Sequence, residues 1–260
     1  MIPKIIHYCW LSKDPLPTEA RECIQSWRRY MPDWEIKLWN TETFDVGSVP
    51  FVAEAVAARK WAFAADYIRC YAIYTEGGIY LDSDVLVRKP LDFVLEHQAF
   101  SAIEYIPDSV DAKAEVIARL KALSGQEDLT PGVQIQAAII GAEKGHPFFK
   151  DCLDYYRSIH FSSETQISPI VFAEQAFKYG FELQDKEQML AEGFKLYDSA
   201  LFCSQPYLMK PEAVAVHCCN ASWRTNDSKI QNMINNVKIR IKALLIKLGL
   251  RTERNIEKIR

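Results

Sequence analysis

Apolar residues along this chain recur with two different periods, and the switches between them outline its elements. Residues 3–10 (PKIIHYCW) form a short, almost continuous apolar run, the pattern of a buried strand. Leu16-Pro17-Thr18 then opens a segment in which Ala20, Ile24, Trp27 and Met31 recur at helical spacing until Pro32 stops it. Residues 34–39 (WEIKLW) alternate like a strand with one buried face, and Gly47 and Pro50 punctuate the chain after it. Residues 50–75 read as helix, in one piece or two, ended by Gly77-Gly78. Beyond these, the pattern predicts a strand over 98–105 and an amphipathic helix over 111–123 with Val116, Ile117, Leu120 and Leu123 on one side. It then gives an apolar strand over 134–141, a helix over 147–159 and a last core strand over 213–218. Residues 160–210 carry no legible period. Strand, helix and strand in alternation predict an α/β sheet with a nucleotide-type site at the strand ends.

One run breaks the hydrophobic rule. In EGGIYLDSDVLV, residues 76–87, two carboxylates, Asp82 and Asp84, interrupt a segment otherwise suited to a core. On a regular strand both point to the same side, and such a pair seats a hard divalent cation, Mg²⁺ or Mn²⁺. The other reading is a solvated turn just past the strand with no ligand. The preceding segment, 61–75 (WAFAADYIRCYAIYT), is apolar on nearly every side, with Asp66 and Arg69 as its charged residues. Three apart, these two share a helix face. A buried ion pair is a doubtful stabiliser because desolvation can outweigh the attraction, so a polar ligand gives a better reason for it, with Arg69 on phosphate and Asp66 on a sugar hydroxyl.

Composition narrows the class. The chain has 260 residues, 49% hydrophobic and 25% charged, which excludes disordered and collagen-like proteins and allows one large core. Its seven cysteines are odd in number and lack CxxC pairing, so neither a disulfide framework nor a zinc ribbon is expected and a reducing compartment fits. With no basic leader and no spanning apolar stretch, the expected location is cytoplasmic, possible contact with the inner face of the plasma membrane included.

Charge then separates the tail from the body. The net charge of −3 divides into +7 from Lys229 onward and −10 before it. In the tail, Met233, Ile234, Val237, Ile241, Leu244, Leu245 and Leu248 recur at helical spacing beside a basic face. The expected division is a catalytic domain over 1–226 and a basic amphipathic helical tail over 227–260. Its stretch 230–250 suits peripheral contact with an anionic membrane, or packing on the body or a second subunit. Nucleic acid is not expected, since the tail lacks aromatics and the body is acidic.

Three motifs in order carry a family resemblance: Ile2-Pro3-Lys4-Ile5-Ile6-His7-Tyr8-Cys9-Trp10, Ala65-Asp66-Tyr67-Ile68-Arg69, and the run from Glu76 to Asp84. Together they resemble the DXD-containing sugar transferases of glycosyltransferase family 32, which include capsule and lipopolysaccharide transferases and yeast initiating mannosyltransferases, and the catalytic domain of the clostridial glucosylating toxins. The likeness is strong to about residue 95, thin to about 145, patchy to Trp223 and absent from the tail.

That resemblance implies a GT-A fold, Rossmann-like, and a metal-dependent retaining glycosyltransferase that moves a hexose-type sugar from a UDP- or GDP-linked donor. The acceptor would be a glycan in bacterial capsule or O-antigen synthesis, lipid-linked if the tail lies on a membrane. It implies Mn²⁺ or Mg²⁺ held by Asp84 directly, with Asp82 reaching ribose and a metal-bound water, and His217 as a third ligand. Asp66 and Arg69 would contact the donor sugar, Trp10 would stack on the base, and Tyr80 and Trp223 would line the donor site. Gln136 stands where such enzymes often carry a sugar-contacting Asn, which affects the sugar's identity more than the reaction. A metal-dependent hydrolase of nucleotide sugars or phosphate esters is the alternative, and a non-catalytic sugar-nucleotide binding module a third.

Overall fold

The computed structural model describes residues 1–106, 114–206 and 209–218. Strand β1 (Ile5–Cys9) is followed by helix α1 (Thr18–Tyr30), strand β2 (Glu35–Trp39), and helices α2 (Pro50–Ala57) and α3 (Trp61–Glu76). The break between these two helices falls at Arg59, whose φ of +55° ends the first. Then come β3 (Gly78–Leu81), β4 (Val85–Val87), β5 (Ala99–Tyr105), α4 (Ala114–Ser124), β6 (Val133–Ile135) and β7 (Ile139–Ala142). The chain continues with α5 (Pro147–Arg157), α6 (Ser168–Ala176), β8 (Gln188–Met189), β9 (Phe194–Tyr197), β10 (Phe202–Cys203) and β11 (Ala215–His217).

Among the described residues, a mixed sheet runs in the order β2-β1-β3-β7-β5-β9-β8, with β6 paired to β5. Strands β1, β2 and β3 are mutually parallel, with β1 in the middle, so Trp10 after β1 and Asp82 after β3 leave the sheet at the same end. On one face pack α2, α3, α5 and α6 through Phe51, Ile68, Phe148 and Phe172. The other face carries α1 through Ile24 and Trp27 against Ile79, Leu81 and Val85. Each fully buried side chain of this size contributes about 1.5–3 kcal/mol, which is why both layers stay closed around the strand ends.

The turn from α3 into β3 needs glycine. Gly77 and Gly78 have φ of +74° and +104°, and a Cβ on Gly78 would lie 2.7 Å from the Ile5 carbonyl oxygen. No other residue brings the helix back so close to β1.

One expectation is corrected here and another is placed. The apolar stretch 134–141 is not one strand: β6 pairs with the far end of β5, and β7 with its beginning and with β3. At the break Gln136 donates its N–H to the Ala102 carbonyl, and its own carbonyl accepts a 2.7 Å bond from Ser101 Oγ. Hydropathy could not reveal it, because residues on both sides of the break are buried. The segment 213–218 does hold a buried strand, outside the main sheet. Strand β11 lies in a three-stranded sheet between β10 and β4, antiparallel to β4 with His217 opposite Val85. The helical tail expected over 227–260 and Trp223 lie outside the described residues, among which no helix is long and apolar enough to cross a membrane.

Candidate active site

Asp82 and Asp84 do not sit on a strand. Strand β3 ends at Leu81, and the Val85 N–H closes a turn onto the Asp82 carbonyl at 2.9 Å before β4 begins. The turn, and not strand alternation, brings the carboxylates together. It is held from outside by the Asp82 N–H, which donates to the Ala138 carbonyl, and by the Cys218 N–H, which donates to the Asp84 carbonyl, each at 2.9 Å.

His217 completes the cluster. Its Nε2 lies 3.3 Å from Asp84 Oδ1 and 3.9 Å from Asp82 Oδ2, and one ligand atom from each of the three residues falls within 4.8 Å of the others. Two carboxylate oxygens and an imidazole nitrogen, all partly exposed, form a hard-to-borderline donor set that fits Mn²⁺ and accepts Mg²⁺. His217 reaches this point because β11 pairs with β4, 130 residues away in sequence, directly after the turn.

Beneath the turn lies the α3 ion pair. Arg69 Nη2 stands 3.0 Å from Asp66 Oδ1 and 3.4 Å from Asp82 Oδ1, and both Asp66 and Arg69 are almost wholly buried. Arg69 also donates from Nε to the Ala65 carbonyl and from Nη1 to the Ala137 carbonyl, and its guanidinium lies over the Tyr80 ring at 4.8 Å. The guanidinium therefore ties α3, the 136–138 strand break and the DXD turn into one unit. Burial opposes its charge, yet the carboxylates of Asp82 and Asp66 hold its pKa above the ordinary value.

Burial pushes the Asp66 carboxyl up to about 6 despite the pull of Arg69 and of hydrogen bonds from Ser168 at the start of α6. Tyr80, raised chiefly by burial, donates its hydroxyl to Asp82 Oδ1 at 3.0 Å and so orients that carboxylate.

The remaining expected residues are placed less centrally. Trp10 is half-buried at the end of β1, its N–H on the Trp39 carbonyl and its indole Nε1 on the Asp14 carbonyl at 2.7 Å. Gln136 is buried, and its Nε2 lies 3.4 and 3.3 Å from the Phe202 carbonyl and Ser204 Oγ. Trp223 falls outside the described residues.

Sequence reasoning missed several supports. The carbonyls of Ala137 and Ala138 carry no side-chain signal at all. For Ser168 the one available signal is the Ser-Pro step that opens α6. On α1, Trp27 Nε1 donates to the Val85 carbonyl at 2.7 Å, and Ser26 Oγ accepts from the Val87 N–H at 2.9 Å, pinning β4.

The chain is similar to known sugar transferases. Residues 17–101 match the family described as a glycosyltransferase sugar-binding region containing a DXD motif. The chain is 32% identical over 103 residues to inositol phosphoceramide mannosyltransferase 3 of Schizosaccharomyces pombe, covering 38% of this chain and 29% of that protein. To inositol phosphoceramide mannosyltransferase 1 of the same yeast it is 28% identical over 110 residues, covering 38% and 33%. The chain thus matches about a third of the length of these curated relatives. Mouse xyloside xylosyltransferase 1 superposes with a TM-score of 0.50 at 11% identity, covering 83% of this chain and 97% of that one. The fold is GT-A.

Proposed function

We propose, from the premise that this chain is a DXD protein of the glycosyltransferase family 32 type, that it transfers a hexose-type sugar from a nucleotide-sugar donor to a glycan acceptor. The observation that carries this reading is the convergence of Asp82, Asp84 and His217 directly above the buried Asp66–Arg69 pair. A cation-binding cluster beside a polar group suited to sugar hydroxyls is what a sugar-diphosphate ligand requires.

Asp84, Asp82 and His217 would hold Mn²⁺ or Mg²⁺. When bound, such an ion supplies positive charge against the negative charge growing on the departing diphosphate. The chain's own residues do the positioning. Tyr80 and Arg69 fix the Asp82 carboxylate, and Asp66, held by Arg69 and Ser168, accepts hydrogen bonds from the donor sugar. Trp10 offers an aromatic face to the base at the same end of the sheet. No side chain is assigned as nucleophile. The proposed mechanism is transfer with retention, in which the leaving phosphate takes the acceptor proton, and the proposed setting is bacterial capsule or O-antigen synthesis. The basic stretch 230–250 would bring the domain to an anionic membrane and to a lipid-linked acceptor.

A donor screen tests the reading: thermal shift and slow hydrolysis with UDP- and GDP-sugars, with and without Mn²⁺, on the wild type and on Asp84→Ala. One nucleotide sugar should stabilise the protein and be turned over only with metal and only when Asp84 is present. Failure of every nucleotide sugar to bind would sink the proposal. Rapid release of free sugar without acceptor would replace it with the hydrolase.

A further inference from the structure

Two pairs of cysteines are neighbours among the described residues. Cys70 on α3 faces Cys152 on α5, and both are fully buried. Cys23 on α1 neighbours Cys218, just past β11. Cys23 is buried, but Cys218 is partly exposed.

The second pair does not rest on that one contact. Cys23 lies three and four residues before Ser26 and Trp27, on the same face of α1, and those two residues hydrogen-bond the backbone of β4. Strand β4 is the partner of β11, and the Cys218 N–H is anchored on the Asp84 carbonyl. Helix, turn and strand end are thus fastened around the two sulfurs.

We propose that Cys23 and Cys218 form an oxidation site, converted by a hydroperoxide into a disulfide that fastens α1 to the end of β11. The Cys218 sulfur, the accessible one, attacks the O–O bond; with hydrogen peroxide this gives a sulfenic acid and one water. The Cys23 sulfur then displaces the sulfenic oxygen, which leaves as a second water. Two thiols lose two electrons and two protons, and the peroxide takes up both. The Cys70–Cys152 pair has no route for the oxidant and stays reduced.

The bond has a consequence for the site. It draws the two sulfurs to about 2.05 Å, far closer than a hydrogen bond. Cys218 is drawn toward Cys23, and the adjacent His217 shifts with it relative to Asp84. This effect, unlike the linkage, rests on the proposed binding of a metal by Asp82, Asp84 and His217.

The test treats the full chain with hydrogen peroxide, blocks free thiols, digests without reductant and identifies peptides by mass. The fragment Glu22–Arg28 should appear joined to the fragment containing Cys218, two hydrogens lighter than the sum, and should separate with a thiol reductant. The linkage should persist in Cys219→Ser and vanish in Cys218→Ser, while Cys70 and Cys152 are recovered as thiols. Absence of a Glu22–Arg28 linkage in oxidised wild type overturns the proposal, as does a linkage that survives Cys218→Ser and is lost in Cys219→Ser. Mn²⁺ titration of the linked protein should give an affinity about tenfold weaker than that of the reduced one. Equal affinities overturn the coupling to His217. Failure of the reduced protein to bind Mn²⁺ counts against the metal site and leaves the linkage result standing.

Discussion

Residues 61–84 and residues 202–217 build one site by opposite routes. The first is a single run of helix, glycine turn, strand and DXD turn, in which Asp66, Arg69, Tyr80, Asp82 and Asp84 are brought together mostly by local geometry. The second is two short strands that deliver His217 only because β11 finds β4. Local geometry tolerates loss of distant contacts. A docked strand does not, and the difference predicts where substitutions will hurt and how.

The sharpest break is Arg69→Met. It removes the one group that joins α3, the strand break and the DXD turn, and leaves the Asp66 carboxylate buried without its partner. Stability should fall by about 3–5 kcal/mol, read as a lower melting temperature with activity lost alongside. A variant that melts like the wild type would show that the guanidinium does not organise the contiguous half.

Asp84→Ala should act on chemistry and not on folding. Turnover of the nucleotide sugar found in the donor screen should drop on the order of 100-fold or more, with the melting curve nearly unchanged, since the carboxylate lies on a partly exposed turn. A steep fall in melting temperature would instead give the turn a structural role.

His217→Ala isolates the docked half. Because β11 pairs with β4 through backbone, the strand should stay in place while Mn²⁺ binds about tenfold more weakly, measurable by titration followed with Mn²⁺ spectroscopy. Unchanged affinity would leave the two aspartates as the whole set.

Trp27→Phe reaches the same half through its support. Losing the indole N–H leaves the Val85 carbonyl buried without that donor, at a cost of about 1–2 kcal/mol. Metal affinity should weaken along with stability if α1 holds β4 and β11 in register.

The mildest expected effect is on pH. His7 and His146 are held below the ordinary histidine pKa by burial, against the raising effect of the Gly77 and Glu192 carbonyls. Both favour the neutral form in the fold, so their contribution is present above their unfolded pKa of about 6.5 and lost as pH falls. Asp66, raised to about 6, acts oppositely, since folding favours its protonated form, and it partly offsets the loss below that point. The melting temperature should therefore decline from about pH 7.5 to about pH 5.5, with a shallower slope in His7→Gln. An identical slope would remove His7 from the account.

Much of this was written in short-range pattern. The helical spacing of Ala20, Ile24, Trp27 and Met31, the double glycine and the apolar strand ahead of Asp82 each follow from the period and stereochemistry of a few neighbouring residues. They set the elements of the first hundred residues and the pairing of Asp66 with Arg69. Tertiary structure decided the rest. Whether the two aspartates lay on a strand or a turn depended on the Ala138 carbonyl, and the break at 136–138 depended on how β5 divides its edge between β6 and β7. His217 became a neighbour of Asp84 through pairing across 130 residues. Backbone hydrogen bonds to distant partners leave no trace in side-chain hydropathy, whereas a helix face or a glycine turn is specified by the residues that form it.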